Sequence, residues 1–397
     1  MKKFLSYILS VFMLVTFVGQ AFGGWQTDVS AATKKNLPKA PSIIGESAIL
    51  IEPTTGTIIY EKDPHKKMYP ASITKIMTAL LAIENCKMND TVVYSKKNLD
   101  SLTAEDSNIQ CQVGEKMSVK DCLYALMLSS ANETATALAE HIAGSEEEFV
   151  KQMNTRAKKL GMNNTNFIDC CGLTDSDDHY TTAKDVAIMS RELITKYPVI
   201  FKYSTIWMEM FTHKTAKGES KFMLTNTNKL LKVNKYVKGL KTGSTSKAKY
   251  CVSTVAEKDN VELIAVVMAA ADYKERFNIS QKLINYGFAN CKVYTDNKKY
   301  NGNIKISNGK KESLKIKKTD FSYVDTKNND LSKIKRKISI KKDLQAPVRK
   351  GEIVGKASYY LKGKNIGEVN IVSEECVNKM NYGFSLIKCM QMFFRIG

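Results

Sequence analysis

Ser72 and Lys75 stand three residues apart in Tyr69-Pro70-Ala71-Ser72-Ile73-Thr74-Lys75, a spacing that puts both side chains on one side of a helix. A lysine desolvated among apolar neighbours and other cations loses its proton more readily and can take one from a serine hydroxyl. Ser72 is therefore a candidate nucleophile and Lys75 its general base. The tetrad alone decides nothing in this Lys-rich chain, because Ser244/Lys247, Ser246/Lys249, Ser307/Lys310, Ser332/Lys335, Ser339/Lys342 and Ser385/Lys388 share its spacing. Its company singles it out. Ser130-Ala131-Asn132 offers a hydroxyl and an amide at a break in a helical pattern. Lys241-Thr242-Gly243 offers a cation, a hydroxyl and a glycine, and the missing side chain lets a substrate backbone approach a strand closely. In this order, the three motifs specify acyl transfer through serine.

The elements that must position them follow from periodicity. Ile73, Ile76, Met77, Leu80 and Ile83 recur at helical spacing behind Pro70, which suits a first helical turn. Residues 118–143 form a second long helical pattern, interrupted at Leu128-Ser129-Ser130-Ala131-Asn132. Ser47 to Tyr60 reads as two strands joined by a Thr-Gly turn. Thr182 caps a helix reaching Ile194, and another runs from Arg276 to Tyr286. The Lys241 segment leads into Tyr250–Val255 and Leu263–Met268, apolar and β-rich like adjacent core strands. From residue 291 to 376 short alternating stretches with Asn-Gly and Gly-Lys turns predict a small antiparallel β-rich domain.

Composition sets the outer limits. A chain of 397 residues with 43% hydrophobic and 25% charged content is globular and long enough for two domains. Residues 1–23 differ: Lys2 and Lys3 precede an apolar run from Phe4 to Val18, and Ala21 and Gly23 are small, as in a cleaved secretory signal. Export places the mature chain at the outer face of the cytoplasmic membrane or in the cell wall. The net charge is +20, and residues 291–375 alone carry an excess of +11. After export this basic character favours anionic wall polymers or lipid headgroups and excludes nucleic acid as a partner. Residues 377–397 hold an amphipathic helix from Tyr382 to Ile396, about 22 Å long, too short to span a bilayer comfortably and suited to its interface. The nine cysteines are scattered without a C-x-x-C pair, which reads as free buried thiols and gives no sign of a metal site.

The chain resembles the serine-type D-alanyl-D-alanine carboxypeptidases, the low-molecular-mass penicillin-binding proteins. The likeness spans about residues 45–290. It is carried by the three motifs, by Met77-Thr78-Ala79-Leu80, by Leu160-Gly161-Met162-Asn163-Asn164-Thr165, by Gly239-Leu240 before Lys241, and by Leu283-Ile284-Asn285-Tyr286-Gly287-Phe288. It implies an α+β fold of the β-lactamase and penicillin-binding transpeptidase type over residues 40–290: an antiparallel sheet flanked by helices, with an all-helical subdomain. A β-rich appendage and a membrane-associating tail follow. The substrate implied is a peptidoglycan stem peptide ending in D-Ala-D-Ala, with β-lactams as covalent inhibitors and no cofactor or metal. Ser72 would form the acyl-enzyme, Lys75 would act as base and Ser130 would relay a proton to the leaving amine. Asn132 would hold the substrate. Lys241 would keep Lys75 neutral and attract the terminal carboxylate, which Thr242 would hydrogen-bond, with Gly243 leaving room for the substrate backbone and Arg276 as a further cation. The amides of Ser72 and Ser244 would form the oxyanion hole. One segment departs from the family pattern: Asp169-Cys170-Cys171-Gly172-Leu173 stands where Asn-Pro-His-Gly-Leu or similar is common. Altered substrate preference or loop packing is expected there, with the chemistry retained.

Rival readings have weaker support. A Ser-His-Asp hydrolase lacks its G-x-S-x-G elbow, and His179, beside Asp177 and Asp178, reads as a surface loop residue. A metallo-carboxypeptidase lacks H-E-x-x-H spacing. A secreted β-lactamase shares the motifs but needs another carboxylate to activate water, and a non-catalytic penicillin-binding wall protein or sensor remains open.

Overall fold

The computed structural model describes residues 40–390 except 101, 102, 104, 105, 216, 217, 299–301, 328, 384, 388 and 389. The expected signal at 1–23 lies outside the described residues, as does much of the terminal amphipathic segment.

Five antiparallel strands make the central sheet. The first two are β1 (Gly45–Glu52) and β2 (Thr57–Lys62). A peripheral hairpin, β3 (Met208–Thr215) and β4 (Gly218–Thr225), precedes β5 (Val237–Thr245), β6 (Lys249–Lys258) and β7 (Val261–Ala270). The order in the sheet is β2-β1-β7-β6-β5. Central β7 is a nearly unbroken apolar run because both of its faces are covered. Ile264, Val266 and Met268 join Ile49 and Ile51 in one core, while Leu263, Ala265 and Val267 join Ala48 and Leu50 in the other. That is the period of two of an extended strand.

Among the described residues the principal helices are α1 (Lys75–Asn85), α2 (Val119–Tyr124), α3 (Asn132–Ala143), α4 (Glu146–Leu160), α5 (Ala183–Lys196) and α6 (Glu275–Asn290), of which α5 and α6 pack directly on the sheet. Ile76, Met77 and Leu80 of α1, Leu138 of α3, Phe149 of α4 and Met189 of α5 fill the first core. Helix α6 covers the second face and fits closely, since a Cβ on Gly287 would sit 2.6 Å from Leu263 Cδ1. Ser118, Ser145 and Thr182 cap α2, α4 and α5 by accepting the amides of Asp121, Glu148 and Asp185. The expected break at Leu128–Asn132 is present: a π-turn over Ala125–Ser129 ends at Ser130 in the left-handed region, and α3 begins at Asn132.

The C-terminal strands are β8 (Lys292–Asp296), β9 (Gly302–Lys305), β10 (Ser313–Lys318), β11 (Phe321–Asp325), β12 (Lys335–Ile340), β13 (Ile353–Leu361) and β14 (Lys364–Ser373). They form a five-stranded sheet ordered β9-β10-β14-β13-β12 and a β8-β11 pair. Leu314, Ile316, Phe321, Val354, Tyr359 and Ile371 give them a separate core. At its edge Asp296 accepts from Tyr359 Oη (2.7 Å) and Arg336 Nη1 (2.9 Å), with buried Lys318 Nζ at 3.7 Å.

Candidate active site

Pro70 leads into a 3-10 turn, Ala71–Thr74, that continues as α1 from Lys75. Ala71, Ile73 and Thr74 are buried and Ser72 is partly exposed, so the turn presents the serine outward. Ala71 takes φ 47°, a conformation that costs a residue with a Cβ about 1–3 kcal/mol and persists only where surroundings enforce it. Two glycines show the enforcement. A Cβ on Gly172 would lie 1.8 Å from Ala71 O, and one on Gly243 would lie 2.9 Å from both Ser72 N and Ile73 N. The space freed at Gly243 is thus taken by the Ser72 turn itself, where sequence reasoning left it for a substrate backbone.

Lys75 is fully buried. Its Nζ is 3.0 Å from Ser72 Oγ, 2.6 Å from Asn132 Oδ1 and 2.7 Å from the Cys171 carbonyl oxygen. Burial pulls the amine below the ordinary lysine value, against the partial opposition of Cys171, Cys170, Asp169 and Glu133. Once the proton is lost, the 3.0 Å contact lets Nζ accept from the Ser72 hydroxyl. Lys241 is also buried, with Nζ donating to Thr242 O at 3.0 Å. Burial first, then the charges of Lys75 and Arg276, hold Lys241 well below the ordinary value. Burial is thus the leading cause of the lowered value at both lysines.

Ser130 has φ 62°, and its Oγ is buried with no hydrogen-bond partner among the described residues. A buried hydroxyl without a partner costs free energy that an arriving polar group can recover. Asn132 is fixed through its amide to Ser107 O (2.8 Å), and neighbouring Glu133 accepts from the Ile109 amide (2.6 Å). Thr242 donates to Thr227 Oγ1 at 2.7 Å, and Ser244 is exposed at the end of β5. Arg276 lies beneath this strand, donating from Nη1 to Gly243 O (3.2 Å) and Cys251 O (3.4 Å). Its guanidinium lies 5.5 Å from the Tyr250 ring and 5.3 Å from Tyr273.

Two expectations change. His179 is buried and bonds Thr74 Oγ1 through Nε2 at 3.0 Å, so it is a prop under the Ser72 turn and not a surface residue. Burial lowers its pKa. The Asp169–Leu173 segment, outside the three motifs, reaches Lys75 through the Cys171 carbonyl and wedges the turn through Gly172. The Asp169 carboxylate shapes the loop by accepting the amides of Cys171 (2.9 Å), Gly172 and Thr174 (2.8 Å). Burial opposes that charge, but His179 and these amides hold the carboxyl below its ordinary range. The sequence signal available was an aspartate three residues before a glycine, a common turn arrangement. A cavity of about 420 Å³ lined by Lys258, Val261, Phe288, Cys291 and Leu331 includes none of the motif residues.

Residues 34–272 match the family described as D-alanyl-D-alanine carboxypeptidase, and residues 288–379 match the penicillin-binding protein 5, C-terminal domain. The D-alanyl-D-alanine carboxypeptidase DacF of Bacillus subtilis (strain 168) is 35% identical over 393 residues, 96% of either chain. The D-alanyl-D-alanine carboxypeptidase DacA of Haemophilus influenzae is 32% identical over 344 residues, 83% of this chain and 84% of that one. The crystal structure of penicillin binding protein 5 from Haemophilus influenzae gives a TM-score of 0.71 at 30% identity, covering 86% of this chain and 100% of that chain. The Streptomyces K15 DD-transpeptidase structure gives 0.61 at 29%, covering 64% and 100%.

Proposed function

The chain belongs to the D-alanyl-D-alanine carboxypeptidase family, and from that premise we propose how its residues divide the work. Ser72 is the nucleophile and neutral Lys75 its base. Oγ attacks the carbonyl carbon of the penultimate D-alanine as Nζ takes the hydroxyl proton, and the amides of Ser72 and Ser244 receive the oxyanion. Collapse breaks the carbon–nitrogen bond. The proton passes from Lys75 by way of Ser130 Oγ to the leaving amine, and terminal D-alanine departs. Water then attacks the ester, giving its proton to Lys75 as Ser72 Oγ is released and reprotonated. Asn132 orients Lys75 and the substrate amide. A terminal carboxylate near Thr242 restores the charge of Lys241, because an opposite charge offsets the burial that depresses it.

The observation that carries this reading is the buried Lys75 Nζ bridging Ser72 Oγ and Asn132 Oδ1. The apolar leader at residues 1–23 supports export, and residues 40–290 and 291–376 act as catalytic and β-rich domains. Among the described residues no helix is long and apolar enough to cross a membrane. The amphipathic pattern at 377–397 suits a membrane interface. β-Lactams, as mimics of D-Ala-D-Ala, trap Ser72 as a slow ester.

The test is D-alanine release from a pentapeptide ending in D-Ala-D-Ala, with a labelled penicillin added in parallel. Release and a covalent adduct, both lost in Ser72→Ala, are expected. Labelling without release would identify a sensor, and rapid penicillin turnover a β-lactamase. A folded parent that forms no adduct would overturn the role of Ser72.

A further inference from the structure

Helices α1 and α3 begin together at the active site, where Lys75 Nζ meets Asn132 Oδ1 at 2.6 Å. They also end together. Cys86 caps α1, Asp90 lies in the loop that follows, and His141 sits in the last turn of α3. One ligand atom from each of Cys86, Asp90 and His141 lies within 4.8 Å of the other two. Thiolate, carboxylate and imidazole together are the ligand set of a borderline-soft divalent ion.

We propose that Cys86, Asp90 and His141 bind one Zn²⁺-class cation, with solvent completing a four-coordinate site. The supporting backbone is already held in place. The Cys86 amide donates to Ala82 O (3.0 Å), the Asp90 amide to Lys87 O (3.0 Å), and Asp90 O accepts from the Val119 amide (3.0 Å). The Asp90 carboxylate accepts the Lys87 amide at 2.8 Å through Oδ2, the kind of supporting contact that orients a metal ligand. Cys86 and Asp90 are half-buried and His141 is exposed, so an ion can enter from solvent. A second cluster, Cys111, Glu115 and His213, meets the same distance criterion but is buried throughout. There Glu115 Oε1 and His213 Nδ1 are engaged with each other at 2.7 Å.

Binding replaces the Cys86 thiol proton, which leaves to solvent, with one metal–sulfur bond. The His141 imidazole coordinates through a ring-nitrogen lone pair, and no electron moves. The ion would tie together the far ends of the two helices that carry Lys75 and Asn132. Sequence spacing gives no warning, because the ligands come from a helix end, a loop and another helix.

The experiment is Co²⁺ titration of chelator-treated, untagged enzyme, read by its thiolate-to-cobalt absorption and by Zn²⁺ competition. One equivalent is expected, displaced by Zn²⁺, with the thiolate band lost in Cys86→Ser and retained in Cys111→Ser. His141→Ala should weaken affinity by at least the roughly 10–100-fold that follows loss of a supporting group. Penicillin labelling of each variant verifies that it is folded. Absence of the band in the parent, or its survival in Cys86→Ser, overturns the proposal. Loss in Cys111→Ser alone would place the ion in the buried cluster and overturn it equally.

Discussion

Replacing Gly172 with alanine tests whether the loop outside the motifs sets the nucleophile. The new Cβ would lie 1.8 Å from Ala71 O and 2.3 Å from Ala71 C, against backbone that cannot rotate away like a side chain. Real contacts of this kind do not fall below 3.0 Å, so the two segments must separate by about 1.2 Å (3.0 − 1.8). Ala71 is bonded to Ser72, so the displacement passes directly to Oγ and its 3.0 Å contact with Lys75. A misplacement of about 1 Å costs roughly 10²-fold in rate, equivalent to about 2.7 kcal/mol of activation free energy. The added residue also takes φ 79°, a strain of about 1–2 kcal/mol. Gly161→Ala separates these effects, because Gly161 has φ 80° with nothing within 4 Å of its Cβ position. Second-order acylation by a labelled penicillin is the assay, with thermal unfolding as the check on folding. The expected result is acylation about 100-fold slower in Gly172→Ala and unchanged in Gly161→Ala. A folded Gly172→Ala enzyme that acylates within about threefold of the parent would refute the wedge, since only about 0.6 kcal/mol would then separate them.

Further outcomes follow from the buried charges. In the proposed mechanism Lys75 acts as base only when neutral, and burial puts its pKa below 10.5, so acylation should rise with pH along a limb centred below that value. A limb centred at or above 10.5 would contradict the desolvated base. The same shift means the unfolded lysine holds its proton more tightly, so its contribution to stability rises with pH between the lowered value and 10.5, measurable by denaturant titration. In the β-rich domain, Asp296→Asn leaves buried Lys318 without its carboxylate and should cost about 3 kcal/mol. Penicillin acylation should be retained, because Asp296 belongs to the separate C-terminal core region. A loss under about 1 kcal/mol in chemical denaturation would mean that Lys318 relies on the Asp296 and Thr319 carbonyls that it also meets.

The sequence by itself determined what is local or periodic. The alternating or continuous apolar strands, the Thr182 cap and the break before Asn132 all depend on neighbours along the chain, and the structure keeps them. The repeat from Ile73 predicted one buried face, but tertiary packing buries every residue from Lys75 to Ala82. The three motifs could be singled out by residue type and spacing, and the structure brings Ser72, Lys75 and Asn132 together. Only the tertiary structure decided how those groups are tuned. The Cys171 carbonyl on Lys75, the Gly172 wedge and the His179 prop belong to a loop about 100 residues beyond the nucleophile, and nothing in chain order brings them together. Pairwise spacing also could not reveal that burial lowers Lys75, because desolvation depends on everything packed around the amine. Residue types supplied the reacting atoms; long-range packing supplied the environment in which a lysine can serve as a base.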